Sequence, residues 1–170
     1  NSIAIFSRDE DSGELTQLSG TDGGIAWDGD PIAGCAEAAG LEGPTSIALS
    51  PDGKNAYVTT FQLDTSNLTA PVARGQLSTF TRDQTTGVLT QTSCVSGSVV
   101  LHILITPAPP PPGCPNAVFP QATARTVPLG TSTDVEVSPD GRSVITTAFL
   151  PRAVVDWARN LTPGALTPVA

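Results

Sequence analysis

Acidic residues cluster twice near the start of the chain, as DEDSGE over 9–14 and DGD over 28–30. Calcium binds carboxylate and carbonyl oxygens, and an EF-hand loop needs acids at its first, third and fifth positions, followed by glycine and a later glutamate. A loop counted from Asp9 has Gly13 at the fifth position and Glu14 at the sixth, so the pattern fails and a solvated turn is favoured. The remaining candidates for a loop-bound Ca²⁺ ion, the one cofactor considered, are Asp22, Asp28 and Asp30.

Side chains typical of catalysis are scarce in this sequence. The single histidine, His102, lies in the apolar run SVVLHILI over 98–105, where a strand residue is more usual than a general base. The chain contains no G-x-S-x-G nucleophile turn, no H-E-x-x-H motif and no Gly-rich phosphate loop. The residues alone therefore predict no catalytic or cofactor-binding side chain, and they favour a protein that is not an enzyme.

Three cysteines and two glycosylation sequons indicate the compartment. Cys94 and Cys114 bracket one loop, which predicts a disulfide in an oxidising environment and leaves Cys35 over. A zinc site is excluded because no C-x-x-C pair accompanies the lone histidine. Asn67-Leu-Thr and Asn160-Leu-Thr permit N-glycosylation. With an acidic composition rich in Ser, Thr and Pro, these features predict a secreted or cell-surface glycoprotein.

Bulk composition excludes several classes of partner. The net charge is −8 and the pI is about 4.3, with eight scattered basic residues, so a nucleic-acid partner is not expected. No apolar run reaches the length of a membrane-spanning helix. The 170 residues, 39% of them hydrophobic, suffice for one domain with a core. The chain begins with Asn1 instead of Met, which predicts a processed product or a segment of a longer protein.

Two phrases recur along the chain and predict its secondary structure. One phrase reads SRDEDSGELTQL over 7–18, TRDQTTGVLTQT over 81–92 and ARNLTPGALTPV over 158–169. The other reads TSIALSPDGKNAYVTTF over 45–61 and TDVEVSPDGRSVITTAF over 133–149. In each phrase, a short run of alternating or β-branched residues leads into a turn that ends with glycine, and a second run of the same kind follows. Each phrase therefore predicts a β-hairpin.

Paired hairpins at this spacing predict four-stranded antiparallel blades of a β-propeller. The fold class is all-β, an incomplete propeller with long loop inserts. The expected strands are 2–7, 14–18, 45–49, 55–60, 76–82, 88–92, 133–137, 143–148, 153–158 and 165–169. The expected segments are a half blade over 1–18, a Gly/Asp-rich loop over 19–42, a blade over 43–92, a Pro-rich insert over 93–129 and a blade over 130–170.

The strand pattern also predicts which side chains pack. Alternation places two apolar pairs on one face of the innermost strands, namely Ile47 with Leu49 and Val135 with Val137. Three aromatic residues fall at equivalent places, directly before each copy of the first phrase, and are expected to pack between neighbouring blades: Phe6, Phe80 and Trp157.

The phrases SPDGKNAYVTTF and FTRDQTTGVLTQ resemble the YVTN or lactonase-type propeller repeats, a family that includes 6-phosphogluconolactonase-like seven-bladed proteins. The resemblance covers somewhat over half the chain, about two and a half blades. It implies a closed ring, with sugar-lactone hydrolysis performed by residues from several blades around a channel. It also implies a cysteine pair in the Gly/Asp-rich loop of secreted members, whereas here Gly23 and Gly24 stand where a partner for Cys35 is expected.

Two and a half blades leave two flanks to be covered. They would be covered by further blades of a longer chain, by neighbouring copies of this chain, or by the inserts and partner chains. The insert contains four consecutive prolines at 109–112, which favour an extended polyproline rod. Its apolar stretch predicts a strand that adds to another chain's sheet edge. The residues proposed for that assembly strand are Val99, Val100, Leu101, Ile103, Leu104 and Ile105.

The sequence favours a non-enzymatic structural or adhesive propeller module of an extracellular glycoprotein, part of a filament or surface appendage. Other extracellular proteins or glycans would then be its partners. Two alternatives stay open. One is a lactonase-like hydrolase whose remaining blades lie outside these residues, and the other is a carbohydrate- or ligand-binding propeller.

Overall fold

A computed structural model of the protein describes residues 1–101, 105–107, 110–117, 129–149 and 152–169. In these ranges the regular structure consists of strands and one 3-10 turn at Gly20–Gly23. Across the same ranges, no helix has the length and apolar character needed to cross a membrane. The strands are β1 (Ser2–Ala4), β2 (Phe6–Arg8), β3 (Leu15–Gln17), β4 (Gly24–Trp27), β5 (Ala36–Ala38), β6 (Pro44–Leu49), β7 (Asn55–Asp64), β8 (Val72–Arg82), β9 (Leu89–Leu101), β10 (Ile105–Pro107), β11 (Ser132–Val137), β12 (Ser143–Ala148), β13 (Ala153–Arg159) and β14 (Leu166–Pro168).

The strands form two propeller-like blades and a smaller N-terminal unit. The first blade has the order β10-β9-β8-β7-β6 and the second blade has the order β11-β12-β13-β14, both antiparallel throughout. At the start of the chain, β2 and β3 form the N-terminal hairpin, while β1, β4 and β5 form a three-stranded sheet. These sheets do not close into a ring, so the described fold is an incomplete, propeller-like all-β structure.

The hairpin predictions are confirmed at both SPDG turns. The Gly53 amide donates to the carbonyl of Ser50 at 2.8 Å, and the Gly141 amide donates to the carbonyl of Ser138 at 2.8 Å. Both glycines have a positive φ, +68° and +69°, a backbone conformation that a side chain at Cβ would strain. Because proline presets φ in the same turn, the four residues direct each innermost strand back along its own blade.

Two separate cores hold the sheets together. One core lies between the N-terminal unit and the first blade and includes Ile25, Leu41 and Phe80. The other lies between the first and second blades and includes Tyr57 and Trp157. Phe80 and Trp157, at 0% and 1% exposed, pack between neighbouring sheets as the sequence predicts. Phe6 is 49% exposed, because no described strand covers its side of the N-terminal hairpin.

The two innermost strands differ in burial although their sequences match. Val135 is 2% exposed and packs against the first blade with Val137 beside it. Ile47 and Leu49 are 51% and 53% exposed, contrary to the expectation of a packed face. They point toward the N-terminal unit, which supplies no inner hairpin to meet them, and Ile47 lines an open groove of about 240 Å³ there.

Both predicted loop segments contain additional strands. In 19–42, β4 pairs antiparallel with β1 and β5 pairs parallel with β4. In 93–129, β9 continues across the predicted blade boundary to Leu101. β4 and β5 lack the alternating pattern of the repeats and form by pairing with other strands of the N-terminal unit.

Part of the proposed assembly strand lies in the first blade. Val99, Val100 and Leu101 belong to β9, and Ile105 begins β10, which pairs with β9 in antiparallel register. The first two also pair with β8 through Val72 and Ala73. β10 is the edge strand of this sheet, and the addition of this stretch to another chain's sheet stays a prediction. Ile103 and Leu104 lie outside the described residues.

Candidate functional site

A buried arginine joins the two blades at the end where their SPDG turns lie. Arg159 ends β13 and is 6% exposed. Its Nε donates to Tyr57 Oη at 2.7 Å and its Nη1 donates to the Gly141 carbonyl at 2.9 Å. Its Nη2 donates to the Asp52 carboxylate at 3.0 and 3.1 Å and to Asn55 Oδ1 at 2.8 Å. This cation is thus matched by an ion pair and neutral acceptors, as a buried charge requires.

The first blade in turn holds the last turn of the second. Asn55 Nδ2 donates to the Pro163 carbonyl at 3.0 Å, and Tyr57 Oη donates to the Gly164 carbonyl at 3.0 Å. We call Asp52, Asn55, Tyr57 and Arg159 the inter-blade clamp. Because their polar groups already bond to one another or to backbone, the clamp stabilises the blade junction and offers no free group for catalysis.

Asp52 is held in place by its own turn before the arginine reaches it. Ser50 Oγ donates to Asp52 Oδ1 at 2.6 Å, and the amide of Lys54 donates to the same oxygen at 3.2 Å. The hydrogen bond from Ser50, followed by that from Arg159, lowers the pKa of Asp52 from 3.8 to about 2. The carboxylate is therefore ionised, and correctly oriented, throughout the physiological pH range.

Stability should fall in acid because this carboxylate must be protonated. A pKa lower in the folded chain than in the unfolded one adds stability that is complete above the unfolded pKa and is lost as pH drops through the folded value. We expect the midpoint of urea unfolding to fall as pH is lowered from about 5 to about 2, the range set by the pKa of Asp52. The fall should be smaller in Asp52→Asn than in Asp22→Asn, a control at an exposed acid. Equal pH dependence in the two variants would contradict the role of Asp52.

A second polar group lies at the opposite end of the first blade. Arg74 Nη1 donates to Asp64 Oδ2 at 2.9 Å, and both side chains are partly exposed. Glu42 lies two residues before the start of the innermost strand β6 and is half-buried. Burial raises the pKa of Glu42, while the nearby positive charge of Arg74 lowers it and Asp64 raises it. Unlike the clamp, this group combines a desolvated carboxyl with a cation that solvent can reach.

The innermost strands of the two blades meet close to this end. Ser46 Oγ donates to Asp134 Oδ1 at 2.7 Å across the junction, and Thr45 Oγ1 donates to the Ser132 carbonyl at 3.3 Å. The amide of Val135 also donates to Asp134 Oδ1, at 2.9 Å. These contacts set the spacing of the two inner strands, β6 and β11, and so fix the positions of the loops that precede them.

The predicted calcium candidates are not brought together. Asp22, Asp28 and Asp30 are all exposed. Over the part of the chain that the structure describes, no three His, Cys, Asp or Glu side chains form a group that could hold a metal ion. His102 lies outside the described residues, so its role as a strand residue stays a prediction.

The predicted disulfide is present. Cys94 and Cys114 are bonded, with Cα atoms 5.0 Å apart, and Cys35 is a partly exposed free thiol. Both sequon asparagines are exposed, Asn67 after the end of β7 and Asn160 directly after β13. Secretion, glycosylation and the extracellular partners stay predictions.

Sequence reasoning missed the residues that the structure brings together. The clamp arginine had a visible signal, because the first phrase carries arginine at the same place in all three copies, as Arg8, Arg82 and Arg159. Glu42 and Arg74 carried no such signal. Glu42 lies in the loop before β6 and Arg74 lies in β8, and only the pairing of β6 with β7 and of β7 with β8 places them at one end of the blade.

Comparisons with known proteins give fold-level likeness only. No family model matches the chain, and no curated protein matches it. A crystal structure of a protein from Lactobacillus plantarum matches with 16% identity and a TM-score of 0.38, covering 99% of this chain and 48% of that one. Two structures described as "a putative 6-phosphogluconolactonase" also match. The one from Bacteroides uniformis has 14% identity and a TM-score of 0.34, covering 96% of this chain and 48% of its own. The one from Bacteroides fragilis has 17% identity and a TM-score of 0.34, covering 99% and 47%.

These neighbours correct the first functional prediction. The sequence analysis put a non-enzymatic structural or adhesive module first, whereas two of these structures carry an enzyme's name, which corresponds to the lactonase-like alternative. The chain spans about half the length of these structures, 47% to 48%. TM-scores this low carry no argument about substrate or catalytic residues, which have to come from the chain's own side chains.

Proposed function

We propose that this chain contributes two and a half blades to a lactonase-like hydrolase of the β-propeller class. The observation that carries the proposal is the pairing of a half-buried carboxyl, Glu42, whose pKa is raised by burial, with the accessible cation of Arg74. Both lie at the end of the first blade where the innermost strand begins. In a propeller the innermost strands surround the central channel, and concave sites of that kind commonly bind ligands.

Hydrolysis of a lactone needs one group to take a proton and another to stabilise negative charge. A water oxygen forms a bond to the carbonyl carbon while its proton passes to a base, and the ring C–O bond then breaks as its oxygen receives that proton. Glu42 has the chemistry of such a base, because a carboxyl desolvated by burial has a pKa shifted toward neutrality. The product is the open-chain hydroxy acid.

Arg74 supplies the positive charge. Negative charge develops on the carbonyl oxygen when water adds, and a guanidinium held in position stabilises it without further reorganisation. The ion pair with Asp64, at 2.9 Å, holds the guanidinium of Arg74 in position. The Arg74 side chain is 23% exposed and remains open to a ligand. The same cation would suit a lactone that carries an acidic group elsewhere, so the proposed substrate class is a sugar lactone, neutral or anionic.

Removal of the proposed base should reduce turnover sharply. We expect Glu42→Gln to lower kcat for hydrolysis of glucono-δ-lactone, followed in a pH-stat above the buffer background, by about 10²- to 10⁴-fold. The rising limb of the pH–rate profile should disappear with it, because amide and carboxyl share a shape but only the carboxylate accepts a proton. The matched control is Glu10→Gln, an exposed acid at the tip of the N-terminal hairpin. Equal turnover in both variants, or none above background in the unmodified protein, would contradict the proposal.

A further inference from the structure

The contact between the two blades consists of two complementary halves. The first blade supplies the carboxylate of Asp52 and a face with Tyr57 and Leu77, which are 0% and 1% exposed. The second blade supplies the third-strand residues Trp157 and Arg159, the indole packing on that face and the guanidinium reaching the carboxylate at 3.0 Å. On the second blade, an aromatic ring and a cation lie two residues apart on one strand. On the first blade, they contact an apolar sheet face that has a carboxylate at its turn.

The first half of this contact, a turn carboxylate beside an apolar sheet face, recurs on the outer face of the second blade. No described residue covers it there. In the repeat, Asp140 corresponds to Asp52. Its Oδ1 accepts from Ser138 Oγ at 2.6 Å and from the amide of Arg142 at 3.1 Å, as Asp52 does from Ser50 and Lys54. Ile145 and Val154 occupy the places of Tyr57 and Leu77 and are 39% and 73% exposed. An oriented carboxylate thus borders an apolar face that nothing in the described chain covers.

The second half recurs at the other end of the chain. In the N-terminal hairpin, Phe6 corresponds to Trp157 and Arg8 corresponds to Arg159. Phe6 is 49% exposed, and Leu15, which pairs with Arg8 in the hairpin, is 61% exposed. Arg8 is exposed and has no salt bridge within the described residues. The ring and the cation both lie on the third strand of the repeat, so a hairpin lacking the two inner strands still presents them.

We propose that the outer face of the second blade binds the N-terminal hairpin of a second copy of this chain, with Arg8 of that copy on Asp140. A second copy is the occupant because every molecule carries both halves, on opposite flanks, and their charges are complementary. The contact is head-to-tail, so each copy keeps one free half for the next, and successive copies close a ring when the rotation permits. This surface is separate from Glu42 and Arg74, so its failure leaves the proposed function untouched.

Charge reversal tests the pairing directly. In a Cys35→Ser background, which prevents links through the free thiol, we expect sedimentation velocity to show association that increases with protein concentration. Asp140→Arg alone and Arg8→Asp alone should each weaken it at least about tenfold, since each brings like charges together at the contact. An equimolar mixture of the two variants should associate again, because it restores one native pair and creates one reversed pair.

Two controls separate this result from damage to the fold. Both variants should keep the far-UV spectrum of the unmodified chain, because both side chains are exposed and neither belongs to a core. Glu37→Arg, a charge reversal of the same size at an exposed acid on β5, should leave association unchanged. A chain that stays monomeric at all concentrations would overturn the proposal and leave these flanks to other blades. Association unaffected by either variant, or a mixture that fails to associate, would overturn it as well.

Discussion

Replacement of Arg159 by methionine should lower the free energy of unfolding by about 3 kcal/mol. Methionine fills much of the same volume but leaves the Tyr57 hydroxyl and the Asn55 amide oxygen, both buried, without the donor they share. Asp52, with 35% of its side chain exposed, would be partly rehydrated, so the loss should lie at the lower end of the range for a broken buried pair. Urea unfolding at pH 7 measures the difference.

The repeat provides a matched control for this variant. Arg82 occupies the same place in the first blade, but its Nη1 only reaches the Gly53 carbonyl at 3.4 Å. No described residue supplies it with an acid across a blade junction. Arg82→Met should therefore cost less than about 1 kcal/mol, as expected for an arginine without a buried charge partner. A loss of similar size in the two variants would show that the buried inter-blade contacts are not what stabilises the junction.

Truncation of Trp157 to alanine should lower the free energy of unfolding by about 3 to 5 kcal/mol. The indole is 1% exposed and fills the core between the blades, and its Nε1 donates to Thr146 Oγ1 at 3.0 Å. Removal of the indole leaves a cavity that Tyr57 and Leu77 cannot fill without leaving their own strands. It also removes one hydrogen-bond donor from the buried hydroxyl of Thr146. Thermal unfolding and urea unfolding should both report the change.

An exposed aromatic residue in the same blade is the control. Phe149 is 67% exposed, and its amide hydrogen bond to the Thr131 carbonyl does not depend on its side chain. Phe149→Ala should therefore change the free energy of unfolding by about 0.5 kcal/mol or less. If both truncations cost the same, the contact between the blades would not be the core of this fold.

Local sequence was sufficient for the strands of the two repeated phrases. The predicted strand at 143–148 matches β12 as observed, and the predicted strands at 133–137 and 153–158 differ from β11 and β13 by one residue at one end. Alternation, β-branched residues and turns of the Ser-Pro-Asp-Gly type act within a few residues of one another. The disulfide was predictable for a related reason, since two cysteines bracket one loop and the third is distant.

Sequence alone was insufficient where a residue's role depends on a distant neighbour. Ile47 and Val135 occupy the same place in one phrase, yet one is 51% exposed and the other 2% exposed, because only the second faces a complete blade. β4, β5 and β10 form because other strands present backbone edges to them, and their own residues show no strand period.

The all-β class, the hairpin repeat, the SPDG turns and the cysteine pair could be predicted from the sequence, because each depends on contacts within a short stretch of chain. The contact of Arg159 with Asp52, 107 residues away, and the position of Glu42 and Arg74 at one end of a blade depend on the three-dimensional fold. Such groupings arise from how whole sheets stack, and the stacking is set by the shape and volume of buried side chains on both sheets together.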